Sequence, residues 1–181
     1  MAGFADLLRD GRAPLSVTLG LGIGLHAMDV FLVATVMPSV VADLGGVRYY
    51  AWVSMLYMVG SIVGAASAGP LRGAYGSRHA YLLAGGLFLG GSLACAAAPR
   101  MELLLATRAV QGFGGGLIVA QSMALVSELY TAGLRKLMLA SISGMWAAAA
   151  LVGPALGGLF AEMGLWRGAF GVNVPIIALF S

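Results

Sequence analysis

Long runs of apolar residues, separated by short connections, follow one another along almost the whole chain. Most of them reach the roughly 20 residues that a helix needs to cross the hydrocarbon core of a bilayer. Open strands would leave backbone N–H and C=O groups unpaired in lipid, so the runs predict membrane-spanning helices. These runs, called spans 1 to 6 below, lie at 15–37, 51–71, 80–98, 103–126, 137–161 and 169–181.

Composition agrees with a membrane setting. Charged residues make up 9% of the 181 residues and hydrophobic ones 60%, whereas about 25% of a soluble domain is charged. The net charge of +3 is spread along the chain without a basic patch, which argues against nucleic acid as a partner. Cys95 is the single cysteine, so no intramolecular disulfide can form, and we expect a small buried side chain there. The predicted fold class is an all-α membrane protein, a six-helix bundle surrounded by the lipid bilayer, with no metal site.

The basic residues of the connections predict the orientation. Residues 1–14 and the connections after spans 2 and 4 carry six lysines and arginines, against three in the connections after spans 1, 3 and 5. The positive-inside rule then makes 1–14 a cytoplasmic tail of a multi-pass protein in the cytoplasmic (inner) membrane. Span 6 reaches the chain end after about 18 Å of helix, too short to cross unaided. We therefore expect a fragment or one half of a split molecule, unless a partner or local thinning of the bilayer accommodates a short helix.

Two opposite charges lie inside the apolar spans. Asp29 is in the middle of span 1 and Arg108 in the first half of span 4, where a charge costs about 2.5–3.5 kcal/mol. His26 and Gln111 lie one helical turn from these two residues. Burial favours the neutral form of a carboxylate and a nearby arginine favours the ionised form, so such a site can load and release a proton. The four residues predict a proton-coupling site. The alternative is a buried ion pair that only holds two helices together, and for His26 it is an interior histidine whose ring nitrogens are hydrogen-bonded and which has no part in coupling.

Glycines recur at four-residue spacing, which lets membrane helices approach closely. A proline within a helix removes a hydrogen bond and bends it, so "GPALGG" (153–158) predicts a hinge or sealing surface in span 5. The spaced pairs are Gly60 with Gly64, Gly112 with Gly116, and Gly153 with Gly157.

Four segments, in order, resemble signatures of one transporter family. They are "MDVFLVATVMPSVVADLG" (28–45), "LATRAVQGFGGG" (105–116), "VGPALGG" (152–158) and "WRGAFGVNVPI" (166–176). Together they resemble the N-terminal half of a major facilitator superfamily transporter of the drug:proton antiporter type, similar to its fourteen-helix subgroup. The matching residues are Asp29, Pro38, Arg108, Gln111, Gly112, Gly114, Gly153, Pro154, Gly157, Gly158, Trp166, Arg167, Phe170, Asn173 and Pro175.

The resemblance implies a bundle of two inverted three-helix repeats, with substrate bound between it and a second bundle. Asp29 and Arg108 would face a solvent-filled cavity and take part in proton exchange, and span 5 would pack against the other half. A proton gradient would supply the energy, with no cofactor. The partner would be a C-terminal half or a second copy of the bundle, paired through the close-packing glycines of spans 2 and 5.

One segment departs from the family pattern. In "GPLRGAYGSRH" (69–79), Gly73 stands where the family has an aspartate that helps latch the cytoplasmic side, and Ala74 replaces the arginine that follows. Arg72 and Arg78 could pair with helix ends or with the partner half, or could only set the topology. The residues that fit the family's gating loop are Gly69, Leu71, Gly76 and Arg78.

The function predicted from these features is secondary active transport, with proton-coupled export of lipophilic or amphipathic small molecules by alternating access. Phe31 and Ala34 make the expected cavity wall apolar, which suits a lipophilic substrate. Import of polar solutes is a competing assignment within transport. A non-transporting half-transporter, acting as a membrane scaffold or partner-binding protein, is the alternative class. An enzyme is not expected, since the sequence has no nucleophile elbow, no HExxH and no paired carboxylates at catalytic spacing.

Overall fold

The computed structural model of the chain describes Leu7 and residues 13–178, with the side chains of 176–178 excepted. The rest of the predicted tail 1–14 and the last residues of span 6, 179–181, lie outside the described residues. Throughout the described part the regular elements are helices, and four are long and apolar enough to cross a membrane. The elements are α1 (Ala13–Leu44), a 3₁₀ turn (Val47–Tyr49), α2 (Tyr50–Ala96), α3 (Met101–Leu129), α4 (Ala132–Glu162), α5 (Trp166–Gly171) and α6 (Asn173–Ala178). The predicted all-α membrane fold is confirmed.

Helix α2 contains both span 2 and span 3. Its 47 residues would extend about 70 Å at 1.5 Å per residue, more than twice the thickness of the hydrocarbon core. Gly76, with φ 78° and ψ 162°, interrupts the helical backbone and divides α2 into two limbs, 50–75 and 77–96. The predicted loop at 69–79 is therefore wrong. Leu71 and Arg72 favour the helical conformation, so the chain stays helical up to Gly76. The turn is made at that one glycine.

The two limbs of α2 run in opposite directions beside α3. In the first limb, Gly60 lies against the backbone of Ala109. After the turn at Gly76, the second limb returns to the same level of α3, where Gly91 lies against the backbone of Gln111. The kinked helix is thus a hairpin that crosses the membrane twice.

The same glycine-mediated contact occurs twice in the bundle. A Cβ atom on Gly64 of span 2 would overlap the carbonyl oxygen of Phe113 in span 4. A Cβ atom on Gly157 of span 5 would lie 2.7 Å from the carbonyl oxygen of Leu32 in span 1. In two inverted three-helix repeats, spans 2 and 5 are equivalent, as are spans 1 and 4. The internal two-fold relation therefore converts the contact between spans 2 and 4 into the contact between spans 5 and 1.

Two of the span 5 glycines lie against α1 of the same bundle. A Cβ atom on Gly153 would lie 2.7 Å from Cβ of Phe31 in α1, and Gly158 has no neighbour within 4 Å. Gly153 and Gly157 therefore pack against α1, and the packing of span 5 against another half or a second copy stays a prediction. Helix α4 continues through Pro154.

Polar contacts connect the helices at both ends of the bundle. At the end where α1 finishes, Asp43 Oδ2 accepts hydrogen bonds from Trp166 Nε1 at 2.9 Å and from Arg167 Nη1 at 2.8 Å. At the opposite end, Arg72 of α2 forms an ion pair with Glu128 near the end of α3. Each contact joins segments that are distant in sequence, so both help to fix the helices relative to one another.

Replacing Gly76 by alanine should lower the free energy of unfolding by about 1–3 kcal/mol, because its backbone conformation is one that L-residues avoid. Gly73→Ala is the matched control. Gly73 is helical, and a Cβ atom at either position would meet no atom within 4 Å. The control should be neutral or stabilising by about 1 kcal/mol, since alanine is the better helix former. Unfolding titrations in mixed micelles measure both variants, and equal destabilisation would contradict the role of the Gly76 conformation.

Candidate functional site

A cluster of polar side chains lies at the centre of the bundle and is closed to solvent. Asp29 and Arg108 are each 1% exposed. Gln111, Ser92 and Asn173 are equally buried, and the five residues come from α1, α2, α3 and α6. The fold therefore gathers residues from spans 1, 3, 4 and 6 at one point, where their polar groups are shielded from bulk solvent and bind one another.

The carboxylate of Asp29 accepts three hydrogen bonds. Its Oδ2 accepts from Nη1 of Arg108 at 2.6 Å, and its Oδ1 accepts from Nε2 of Gln111 at 2.9 Å and from Nδ2 of Asn173 at 3.0 Å. Hydrogen bonds between ionised partners are the strongest in proteins. A buried ion pair needs such additional bonds to offset the loss of hydration, so this geometry fits an ionised Asp29.

Ser92 links the two amide side chains. Its Oγ accepts from Nε2 of Gln111 at 2.7 Å and from Nδ2 of Asn173 at 3.0 Å. The carbonyl oxygen of Gln111 accepts from Nη1 of Arg108 at 2.7 Å and from the Cys95 thiol at 3.5 Å. Because a guanidinium only donates and a carboxylate only accepts, the orientation of the Gln111 amide is fixed from both sides.

The guanidinium of Arg108 lies between two aromatic rings. Its Cζ is 4.0 Å from the ring centroid of Tyr57 and 5.8 Å from that of Phe170. Such contacts stabilise a desolvated cation by about 2 kcal/mol. The hydroxyl of Tyr57 forms a 2.8 Å hydrogen bond with Nδ1 of His26. His26 is thus connected to the ion pair through Tyr57, and among the described residues it forms no direct hydrogen bond with Asp29 or Arg108.

The glycines of "QGFGGG" make room for the neighbours of the site. At each of Gly112, Gly114, Gly115 and Gly116 a Cβ atom would come closer than 3.0 Å to another helix. In order, it would strike the carbonyl oxygen of Tyr57, the amide nitrogen of Phe88, Nδ1 of His26 and the carbonyl oxygen of Ser61. The run of glycines in span 4 is therefore explained by close contact on several sides at once.

The structure differs from the expectation that the ion pair lines an open, solvent-filled cavity. Both charged side chains are sealed, since the rings of Tyr57 and Phe170 cover Arg108 while Asn173 contacts the Asp29 carboxylate. A surface groove of about 240 Å³ lies elsewhere between α1 and α4. It is lined by Gly20, Leu21, Gly24, Leu25, Met28, Met145, Ala148, Ala149 and Val152. A proton or solute reaches Asp29 from solvent only after side chains or helices move.

The residues assigned to gating do not form one cluster. Gly69 has no neighbour within 4 Å and Gly76 provides the turn of α2. Arg78 is exposed and lines a surface cavity of about 370 Å³ with Tyr81 and Thr18. Arg72, next to the missing aspartate, pairs with a helix end inside the same bundle, as one of the open alternatives anticipated. The role of these residues in gating stays a prediction.

Reasoning from the residue pattern alone did not identify three residues at the site: Ser92, Asn173 and the neighbouring Tyr57. Ser92 and Tyr57 were not singled out, and Asn173 entered only through the family resemblance. Their signal was a polar group inside an apolar run, but neutral polar residues are common at interfaces between membrane helices. Cys95 has the predicted burial, and its thiol also contacts Thr107 Oγ1 at 3.2 Å. Among the described residues, no group of three or more His, Cys, Asp or Glu side chains could hold a metal.

Curated relatives match most of the chain. A probable multidrug-efflux transporter of Mycobacterium tuberculosis is 44% identical over 166 residues, which cover 92% of this chain and 35% of the relative. Multidrug resistance protein 3 of Bacillus subtilis is 36% identical over 165 residues, which cover 90% of this chain and 32% of that protein. The chain thus spans about a third of the length of these relatives.

Solved structures share the fold at low sequence identity. The crystal structure of a D-xylose-proton symporter superposes with a TM-score of 0.81 at 17% identity, covering 92% of this chain and 46% of that one. An inward-open xylose transporter from E. coli gives a TM-score of 0.72 at 18% identity, with coverage of 92% and 45%. The sequence model of the Major Facilitator Superfamily matches residues 19–181, and the chain accordingly belongs to that superfamily.

Proposed function

We propose that this chain is part of a secondary transporter of the cytoplasmic membrane, with a cytoplasmic N-terminus, that exports lipophilic small molecules in exchange for protons. Asp29 takes up and releases the proton, and Arg108 is its counter-charge. The observation that carries this proposal is the Asp29 carboxylate, 1% exposed, which accepts hydrogen bonds from one guanidinium and two amides. A buried ionisable residue of a membrane protein is a functional candidate by default.

Protonation of Asp29 would change the balance of interactions at the centre of the bundle. The ionised carboxylate joins α1 to α3 through Arg108 and Gln111, and to α6 through Asn173. A neutral Asp29 removes the charge from all three bonds and leaves the Arg108 cation uncompensated in a closed site, which is costly. A proton thereby favours a conformation in which water reaches Arg108. This difference between two states is what alternating access requires.

An apolar surface groove and the names of the relatives support the proposed substrate class. The groove between α1 and α4 is lined by apolar residues. Phe31 of α1 and Trp146 of α4 also pack edge to face, with their ring centroids 6.2 Å apart. Relatives at 44% and 36% identity carry names that refer to multidrug efflux or multidrug resistance. We infer lipophilic or amphipathic substrates. A second bundle, either a C-terminal half or another copy, would supply the opposite wall.

Asp29→Asn tests the proton step. The protein that carries this chain is produced in full, and extrusion of the lipophilic dye ethidium is followed in membrane vesicles over a series of pH values, with and without a protonophore. We expect at least a tenfold loss of the extrusion that depends on the proton gradient. Asp43→Asn is the matched control, because Asp43 is an acid of the same helix that lies outside the central cluster and is half exposed. It should retain the pH dependence.

Two outcomes would contradict the proposed proton step. One is an Asp29→Asn protein that is monodisperse and transports with an unchanged pH dependence. If that variant does not fold, Asp29→Glu keeps the charge but moves it by one methylene group. It should transport with a shifted pH dependence, and a profile identical to that of the unsubstituted protein would reject the role of Asp29.

A further inference from the structure

We propose that Asn173, together with Ser92, accommodates the proton on Asp29 by turning its side-chain amide over. Asn173 would be a positioning residue, which donates to the ionised carboxylate and accepts from the neutral acid. The inference rests on the proposed proton step and identifies the side chain that responds when Asp29 is protonated.

Every hydrogen-bond partner of Asp29 among the described residues is a donor. Oδ2 faces Arg108 of α3, and Oδ1 faces the NH₂ groups of Gln111 and Asn173. The other titratable groups nearby have different partners: from α2, the Tyr57 hydroxyl bonds His26 of α1 and the Cys95 thiol bonds Thr107 and Gln111 of α3. An O–H on a protonated Asp29 would therefore have no acceptor in the present arrangement. A buried donor without an acceptor is unfavourable, so an adjacent group has to turn.

Only one of the two amides can turn without breaking the arginine contact. The Gln111 oxygen accepts from Nη1 of Arg108, which can only donate, so turning Gln111 would place its N–H groups against a guanidinium N–H. The hydrogen bonds described for the Asn173 amide all come from Nδ2, at 3.0 Å to Asp29 Oδ1 and 3.0 Å to Ser92 Oγ. Rotation of Asn173 about its Cβ–Cγ bond would present the carbonyl oxygen to both of these atoms.

Ser92 can accommodate the turned amide on the side that faces Asp29. A hydroxyl can donate and accept, and Ser92 at present accepts from both amides. After the turn, Ser92 donates to the Asn173 oxygen and still accepts from Gln111, while the new Asp29 O–H also donates to the Asn173 oxygen. Two N–H donations are exchanged for two O–H donations. The Asn173 N–H groups then face the side where the carbonyl oxygen lay, and water has to enter there to accept from them, so the turn is coupled to opening of the site.

The position of the pair in the fold connects the proton to helix movement. Ser92 lies in span 3 and Asn173 in span 6, which are equivalent in the two inverted repeats, just as Asp29 and Arg108 lie in the equivalent spans 1 and 4. Asn173 is the first residue of α6, and Val172 separates it from α5. A change at the Asn173 amide therefore acts at a break between two short helices and not within a long, continuous one.

Asn173 is the single asparagine of the 181 residues, so ¹³C-asparagine introduced by segmental labelling into this part of the protein reports on one asparagine side chain. Infrared spectra of the labelled protein in membranes are recorded from acidic to alkaline pH. We expect the labelled C=O band to move to lower frequency on acidification, because its oxygen gains O–H donors. The midpoint should coincide with that of the Asp29 carboxylic acid band. The change should be absent in Asp29→Asn, smaller in Ser92→Ala and preserved in Asp43→Asn.

The spectra separate this inference from the proposed function. An Asp29 acid band that titrates while the asparagine band stays fixed would overturn the role of Asn173 and leave the proton step intact. If no carboxylic acid band assignable to Asp29 titrates, both the proton step and the inference are rejected. A full-sized shift in Ser92→Ala would remove Ser92 from the mechanism. The key spectra use the unsubstituted protein, so misfolding of a variant cannot mimic the result.

Discussion

Arg108→Leu should lower the free energy of unfolding by about 3–5 kcal/mol, the usual cost of removing one partner of a buried ion pair. The substitution leaves the Asp29 carboxylate in a site that is 1% exposed, with only the neutral amides of Gln111 and Asn173 as donors. It also removes the cation that lies 4.0 Å from the Tyr57 ring centroid. Unfolding titrations in mixed micelles measure the change.

A double variant shows whether the loss comes from the unpaired charge. Asp29→Asn combined with Arg108→Leu removes both charges, and it should be more stable than Arg108→Leu alone. Arg167→Leu is the matched control, since Arg167 also pairs with an aspartate, but with side chains 47% and 49% exposed. An exposed pair contributes about 0–1 kcal/mol. Similar losses for both arginines, or strictly additive effects in the double variant, would show that Asp29 and Arg108 do not depend on each other.

The contact between Asp29 and Arg108 could be anticipated from sequence, because two opposite charges in apolar spans are each too costly to remain alone in lipid. The geometry around them could not be anticipated. Ser92 and Asn173 carry no charge, so the sequence pattern shows no comparable penalty that would identify them as part of the site. Their role follows only from the fold, which brings spans 3 and 6 together at the carboxylate.

Spacing of glycines predicted close helix contacts but not their partners. The pairs in spans 2, 4 and 5 have the same four-residue period, and nothing local distinguishes a contact within the bundle from one with another bundle. The structure resolves the question for Gly157, whose neighbour is Leu32 of α1. The sequence pattern likewise overestimates the length of the turn at Gly76. A cluster of glycine and charged residues suggested a loop, yet only one of those residues leaves the helical conformation.

Gly116→Ala should destabilise the protein by about 3 kcal/mol, the upper end of the usual cost of overpacking. In an exposed helix the same change stabilises by about 1 kcal/mol. A Cβ atom on Gly116 would overlap the backbone carbonyl of Ser61, which cannot rotate away as a side chain would. The methyl group fits only if α3 separates from the first limb of α2. Gly144→Ala in α4 is the matched control, because a Cβ atom there meets no atom within 4 Å.

The same substitution should disturb the polar cluster from a distance. Gly112, one helical turn before Gly116, lies on the carbonyl oxygen of Tyr57, so separation at Gly116 also moves the Tyr57 ring away from Arg108. Gly116→Ala protein that remains folded should therefore lose part of the Arg108 contribution, and adding Arg108→Leu to it should cost less than in the unsubstituted background. Unfolding titrations of the single and double variants measure this coupling. Equal stability of Gly116→Ala and Gly144→Ala would mean that the backbone contact between spans 2 and 4 does not hold the site together.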